Sequence, residues 1–89
     1  MEYFDKLGNR LEIGDFVRLN RFYVKYMGTK IGKIINLYPG GIPTTFSSDT
    51  PYAQISYQNN YKLIESFEYV NLMGITKISY EEAVFEMLS

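Results

Sequence analysis

The sequence predicts a mainly β domain: a small antiparallel barrel of about five strands followed by a short C-terminal helix. Three observations carry this. Short stretches alternate apolar and polar residues with the period of a strand, as in Val17-Arg18-Leu19 and Tyr52-Ala53-Gln54-Ile55-Ser56-Tyr57. Glycine, proline and asparagine pairs separate those stretches at short intervals. Only the last ten residues change to helical spacing.

Length and composition bound the rest. The chain has 89 residues, 46% hydrophobic and 21% charged, with nine Tyr and six Phe. That suits one folded domain over residues 1–89 with a thin core. Cysteine and histidine are both absent. Disulfides, thiolate nucleophiles, Cys-type zinc sites and Ser-His-Asp triads are therefore excluded, and with them the usual neutral-pH general base. Carboxylate, Lys, Tyr or Ser chemistry would need an enclosed, perturbed site that so small a domain rarely builds. We expect no enzyme, no cofactor and no metal. Glu65 and Glu68 form too weak a pair for glycosidase chemistry without a cleft.

The N-terminal residues are mixed in charge and lack the apolar stretch of a signal peptide, and no window approaches a membrane span. A cytoplasmic protein is expected, in the host cytoplasm if the source is viral. Net charge is −1. Residues 1–44 carry seven Lys/Arg and four Asp/Glu, whereas residues 45–89 carry two and six. The imbalance reflects either a basic face or ordinary solvated charge that mixes in the folded molecule.

Taken in order, Gly8-Asn9 and Gly14-Asp15 are turn dipeptides, so a short strand through Leu11 precedes a strand over about 15–20. Residues 20–28 are aromatic and basic without clean periodicity, and read as a continuing strand or a long excursion. A strand from Ile31 to Tyr38 is rich in β-branched residues and stops at Pro39-Gly40-Gly41. The segment 39–51, with three prolines, is a long loop of the kind that often carries function.

Residues 52–57 form the next strand, with Ala53, Ile55 and Tyr57 on one face, and Gln58-Asn59-Asn60 suits a hairpin turn. Tyr61–Glu65 and Phe67–Met73 are further strand candidates. Ser79-Tyr80-Glu81-Glu82 is a capping box, with Ile78 placed to staple onto Ala83. A helix over 80–88 would then pack through Tyr80, Ala83, Val84, Met87 and Leu88, leaving Glu81, Glu82 and Glu86 outward.

Gly14-Asp15-x-Val17, Gly28-x-x-x-Gly32-Lys33-Ile34 and Ala53-x-Ile55-x-Tyr57 together resemble an SH3-like barrel. More narrowly, they are similar to the KOW-type barrels of ribosomal proteins and transcription elongation factors. The resemblance covers about residues 12–57, and the 20–27 segment is longer than that family's usual turn. It implies binding without catalysis, to RNA, to a polymerase or to another protein. The Asp5-x-x-Gly8 opening with Gly14-Asp15-x-Val17 also resembles small tailed-phage proteins, which implies a viral accessory or inhibitor protein.

Two constellations compete for the binding role. Tyr52, Tyr57, Tyr61 and Tyr69 lie on neighbouring strands and, with Phe46 of the long loop, could line a surface for a protein partner. Equally, these rings could half-bury on a thin barrel. Arg18, Arg21, Lys25, Lys30 and Lys33, interleaved with Phe22, Tyr23 and Tyr26, could instead hold RNA or DNA by phosphate neutralisation and base stacking. The plain alternative is core rings with a solvated cationic rim. Gly28–Ile34 falls one residue short of a phosphate-binding loop, and Ile34 stands where a Ser/Thr would hold magnesium, so it reads as a glycine turn feeding a strand. The primary expectation is a protein-binding module; the alternative is a KOW-like nucleic-acid-binding module. Open strand edges also suit a homodimer.

Overall fold

A five-stranded antiparallel sheet with strand order β6-β5-β4-β3-β7 dominates the structure, a computed structural model that describes residues 1–41, 49–59 and 64–88. Its strands are β3 (Phe16–Leu19), β4 (Ile31–Tyr38), β5 (Tyr52–Asn59), β6 (Ile64–Asn71) and β7 (Ile75–Ile78). A separate hairpin of β1 (Tyr3–Phe4) and β2 (Arg10–Leu11) precedes it. Helix α1 (Arg21–Met27) lies between β3 and β4, a 3-10 turn (Leu72–Gly74) joins β6 to β7, and α2 (Tyr80–Leu88) ends the fold. The mainly β class and the C-terminal helix are as the sequence predicts, whereas the strand through Leu11 lies in a separate hairpin and β7 is a strand the sequence did not predict. The sheet stays open, however: β6 and β7 are its two edges, and the turn between them carries the chain across without pairing them.

Residues 20–28 are neither strand nor excursion but an α-helix. Asn20 caps it, its Oδ1 accepting from the Tyr23 N–H at 3.0 Å, and Gly28 ends it at φ 74° while donating to Val24 O. The aromatic and β-branched composition favours a strand, yet Tyr23, Val24 and Met27 share one helical face and pack into the core. Burial therefore overrides propensity. Gly28–Ile34 is a helix stop and strand start, as expected. A Cβ on Gly32 would sit 2.7 Å from Ile55 Cδ1, so any side chain there would displace the end of the Ile55 side chain.

Strand β5 runs through Asn59, which pairs with Ile64, so the expected turn at Gln58-Asn59-Asn60 begins too early. The hairpin connection spans 60–63, outside the described residues. Of the two strand candidates at 61–65 and 67–73, residues 64–71 form one strand, residues 61–63 lie outside the described residues, and Leu72–Gly74 coils because the Asn71 side chain accepts from the Met73 N–H. Leu11, Val17, Leu19, Ile34, Ala53, Ile55, Val70, Leu72 and Ile75 fill the main core on the α1 side of the sheet. A second, smaller cluster of Phe16, Ile31, Ile78 and Ala83 lies under α2.

The α2 cap forms as the sequence predicts, with Ser79 Oγ accepting from the Glu82 N–H at 3.1 Å and Ile78 packed with Ala83. Of the expected packing face only Ala83 is fully buried, and Val84 is half-buried. Tyr80, Met87 and Leu88 remain exposed, because the sheet beneath offers only a narrow apolar strip. Glu86 does not face outward but turns back to Arg18 at 2.7 Å, with Glu82 at 3.6 Å from the same guanidinium.

Candidate interaction surfaces

Strand pairing places Ile78, Phe16, Lys33, Ser56 and Phe67 in one row across all five strands. Since side chains along a strand alternate between faces, the row lies on one face. Helix α2 covers its Phe16–Ile78 end, where Tyr80 meets Phe16 edge-on at 5.7 Å. The other end stays open: Phe67 is 54% exposed, and the Lys33 ammonium sits 5.9 Å from the Phe16 ring. Between α2 and this open half runs a groove of about 320 Å³ lined by Phe16, Lys33, Ser56, Gln58, Glu65 and Met87. Its walls are largely apolar, with one cation and one carboxylate.

Further along the same face three tyrosines meet. Tyr38 stacks on Tyr52 with ring centres 5.0 Å apart, and Tyr69 closes the group at 6.1 Å from Tyr38 and 6.0 Å from Tyr52. Tyr52 is fully buried, with the Tyr38 and Tyr69 rings against it. Tyr38 and Tyr69 are half-buried. Burial first, then the neighbouring phenols of Tyr69 and Tyr52, push the Tyr38 hydroxyl above its ordinary value of 10.0. The Tyr38 hydroxyl thus stays neutral and can donate and accept hydrogen bonds at neutral pH. The Asn36 side-chain amide donates to Gln54 Oε1 at 2.9 Å and adds a polar neighbour.

Tyr57 borders the groove but stands apart from the three-tyrosine group. It sits on the opposite face with Ala53 and Ile55 and packs against the core. Burial raises its pKa, with Glu68 and Tyr26 adding to the shift and a hydrogen bond with Ser66 opposing it. Phe46 and Tyr61 lie outside the described residues. Tyr38, Phe67 and Met87 were missed by sequence reasoning. The Tyr38–Tyr52 pair spans a loop whose residues give no register, while Met87 reads as helix core until the narrow seat of α2 is known.

The basic set divides as well. Arg18 is held by Glu86 and Glu82, and Lys33 belongs to the groove. Tyr23 is turned inward: its hydroxyl accepts from the Asn71 N–H at 2.9 Å, tying α1 to the end of β6. Arg21, Lys25, Tyr26 and Lys30 are exposed, with Phe22 beside them.

Among the described residues no cluster of three or more Asp/Glu could hold a metal ion, and no helix is long and apolar enough to cross a membrane. The buried carboxylate of Asp5 is fully occupied. It accepts from the N–H groups of Leu7, Asn9 and Lys77 and from the Asn9 side-chain amide, all at 2.8–3.0 Å. Burial, the largest single influence, raises its pKa, but these hydrogen bonds together outweigh it and hold the group below its ordinary 3.8. No family model, curated protein or solved structure matches the chain.

Proposed function

We propose that the chain is a non-enzymatic protein-binding module that presents the open half of its α2-bearing sheet face to a protein partner. One observation carries the reading: Phe67, the half-buried Tyr38 and Tyr69, and the apolar groove beside Met87 are contiguous on one rigid sheet. Large rings fixed by strand pairing lose little entropy on binding, and a groove at the end of the strip suits an inserted apolar side chain. Lys33 and Glu65 at the groove would set its orientation. The open sheet in the order β7-β3-β4-β5-β6, with a 3-10 turn between β6 and β7, supports the SH3-like reading.

The test is capture on immobilised protein from nuclease-treated lysate, comparing the wild type with Phe67→Ser and Met87→Ser. Both side chains are exposed, so folding should survive in each variant. A stoichiometric protein retained by the wild type and lost about tenfold or more by Phe67→Ser supports the reading. Equal retention by the variants, or loss of every partner upon nuclease treatment, overturns it.

A further inference from the structure

The cap at Asn20 fixes the phase of α1, and with Tyr23, Val24 and Met27 turned to the core, the outward arc is set. That arc holds two rows, each one helical turn long: Arg21 and Lys25, and beside them Phe22 and Tyr26. Phe22 is 69% and Tyr26 70% exposed, although the Phe22 ring meets the inward Tyr23 edge-on at 5.4 Å.

Ion pairing elsewhere sharpens the charge of this face. Arg10 pairs with Glu2 and Glu12, Arg18 with Glu82 and Glu86, and Lys77 with Asp15. Arg21, Lys25 and Lys30, just beyond the helix, have no ion pair among the described residues, and α1 contains no acidic residue. Two acids bound the patch: Glu86, already paired with Arg18, shares a pocket with Lys30, and Glu68 acts on Tyr57 together with Tyr26.

We propose that this face of α1 binds single-stranded nucleic acid. Arg21, Lys25 and Lys30 neutralise successive backbone phosphates while Phe22 and Tyr26 stack on unpaired bases. The cation row alone would serve any polyanion. The adjacent row of flat, exposed rings favours a strand whose bases are free to stack, which a duplex conceals. Helix α1 lies on the opposite side of the sheet from the Phe67 surface; the two sites approach only where Lys30 and Met87 share a pocket and have no residue in common, so either can fail alone.

The experiment is fluorescence anisotropy of a labelled oligothymidylate of about 20 nucleotides, titrated with the full chain from 50 to 200 mM KCl. Expected is saturable binding whose logarithm falls with log salt at a slope of about −2, as three neutralised phosphates require on single strands. Arg21→Glu with Lys25→Glu should abolish it, Lys25→Gln should weaken it and flatten the slope, and Phe22→Ala with Tyr26→Ala should cost about tenfold. Inorganic polyphosphate and phosphatidylserine vesicles of matched charge should compete poorly. No binding at 50 mM salt overturns the proposal. So does equal competition by polyphosphate or vesicles, or indifference to both the Lys25→Gln and the ring substitutions.

Discussion

The Asp5 carboxylate ties the hairpin turn at Gly8 to Lys77 of β7, so one side chain joins the first element to the last strand. Asp5→Ala would remove the acceptor of three part-buried backbone N–H groups and is expected to cost about 1–3 kcal/mol, read from urea unfolding. Asp5→Asn, which keeps one acceptor oxygen, should cost less. Because the native pKa is depressed, the Asp5 contribution is present above the ordinary 3.8 and lost as pH falls through the lower native value. Acid unfolding of the wild type should therefore show a loss in that window that Asp5→Asn lacks. The residue scale is also where the sequence misleads about the tyrosines. Strand alternation places Ala53, Ile55 and Tyr57 together, and they are together, but both faces of β5 carry apolar groups, so alternation cannot say which face turns inward. Burial of the Tyr57 face is settled by α1 and β6.

At the scale of elements, α2 was legible and α1 was not. The α2 signal is local and reciprocal: Ser79 at the cap, Glu82 three residues on, Ile78 and Ala83 flanking. For α1 the cap is a lone Asn20, and Phe22, Tyr23, Val24 and Tyr26 all prefer strands. A helix this short draws its stability from burial of Tyr23, Val24 and Met27, which no local pattern reports. Its dependence on the cap is correspondingly strong. Asn20→Ala should cost about 1 kcal/mol in chemical unfolding, and Gly28→Ala a similar amount through the left-handed angle at the other end. The Arg18 pairs with Glu82 and Glu86 are partly exposed and add little to the seating of α2, in which Ala83 is fully buried.

Across the whole molecule, the class of the fold was readable from turns and alternation, whereas the open sheet was not. Pairing of β3 with β7 joins residues far apart in sequence, and nothing near either strand announces it. The open edge at β6 has its own guards: Glu68 Oε1 accepts from the Tyr69 N–H at 3.1 Å, and Tyr23 takes the Asn71 N–H. Unpaired edge amides recruit further strands, so these caps oppose self-association. Glu68→Ala should raise the oligomeric state seen by light scattering at about 100 μM, in the range where exposed edges begin to associate. Glu68→Gln, still able to accept from that amide, should stay closer to the wild type. Equal behaviour of the two would assign the effect to charge.

The partnership of Leu19 with Ile75 and of Phe16 with Ile78 also bears on how the protein is made. On the ribosome β4, β5 and β6 can pair with one another in order of appearance, as successive hairpins. Strand β3 keeps one flank bare until residue 78 has left the exit tunnel. Until then a nascent chain carries Val17 and Leu19 on an unfinished edge, and the interval between translating β3 and β7 is the time a holding chaperone has to act.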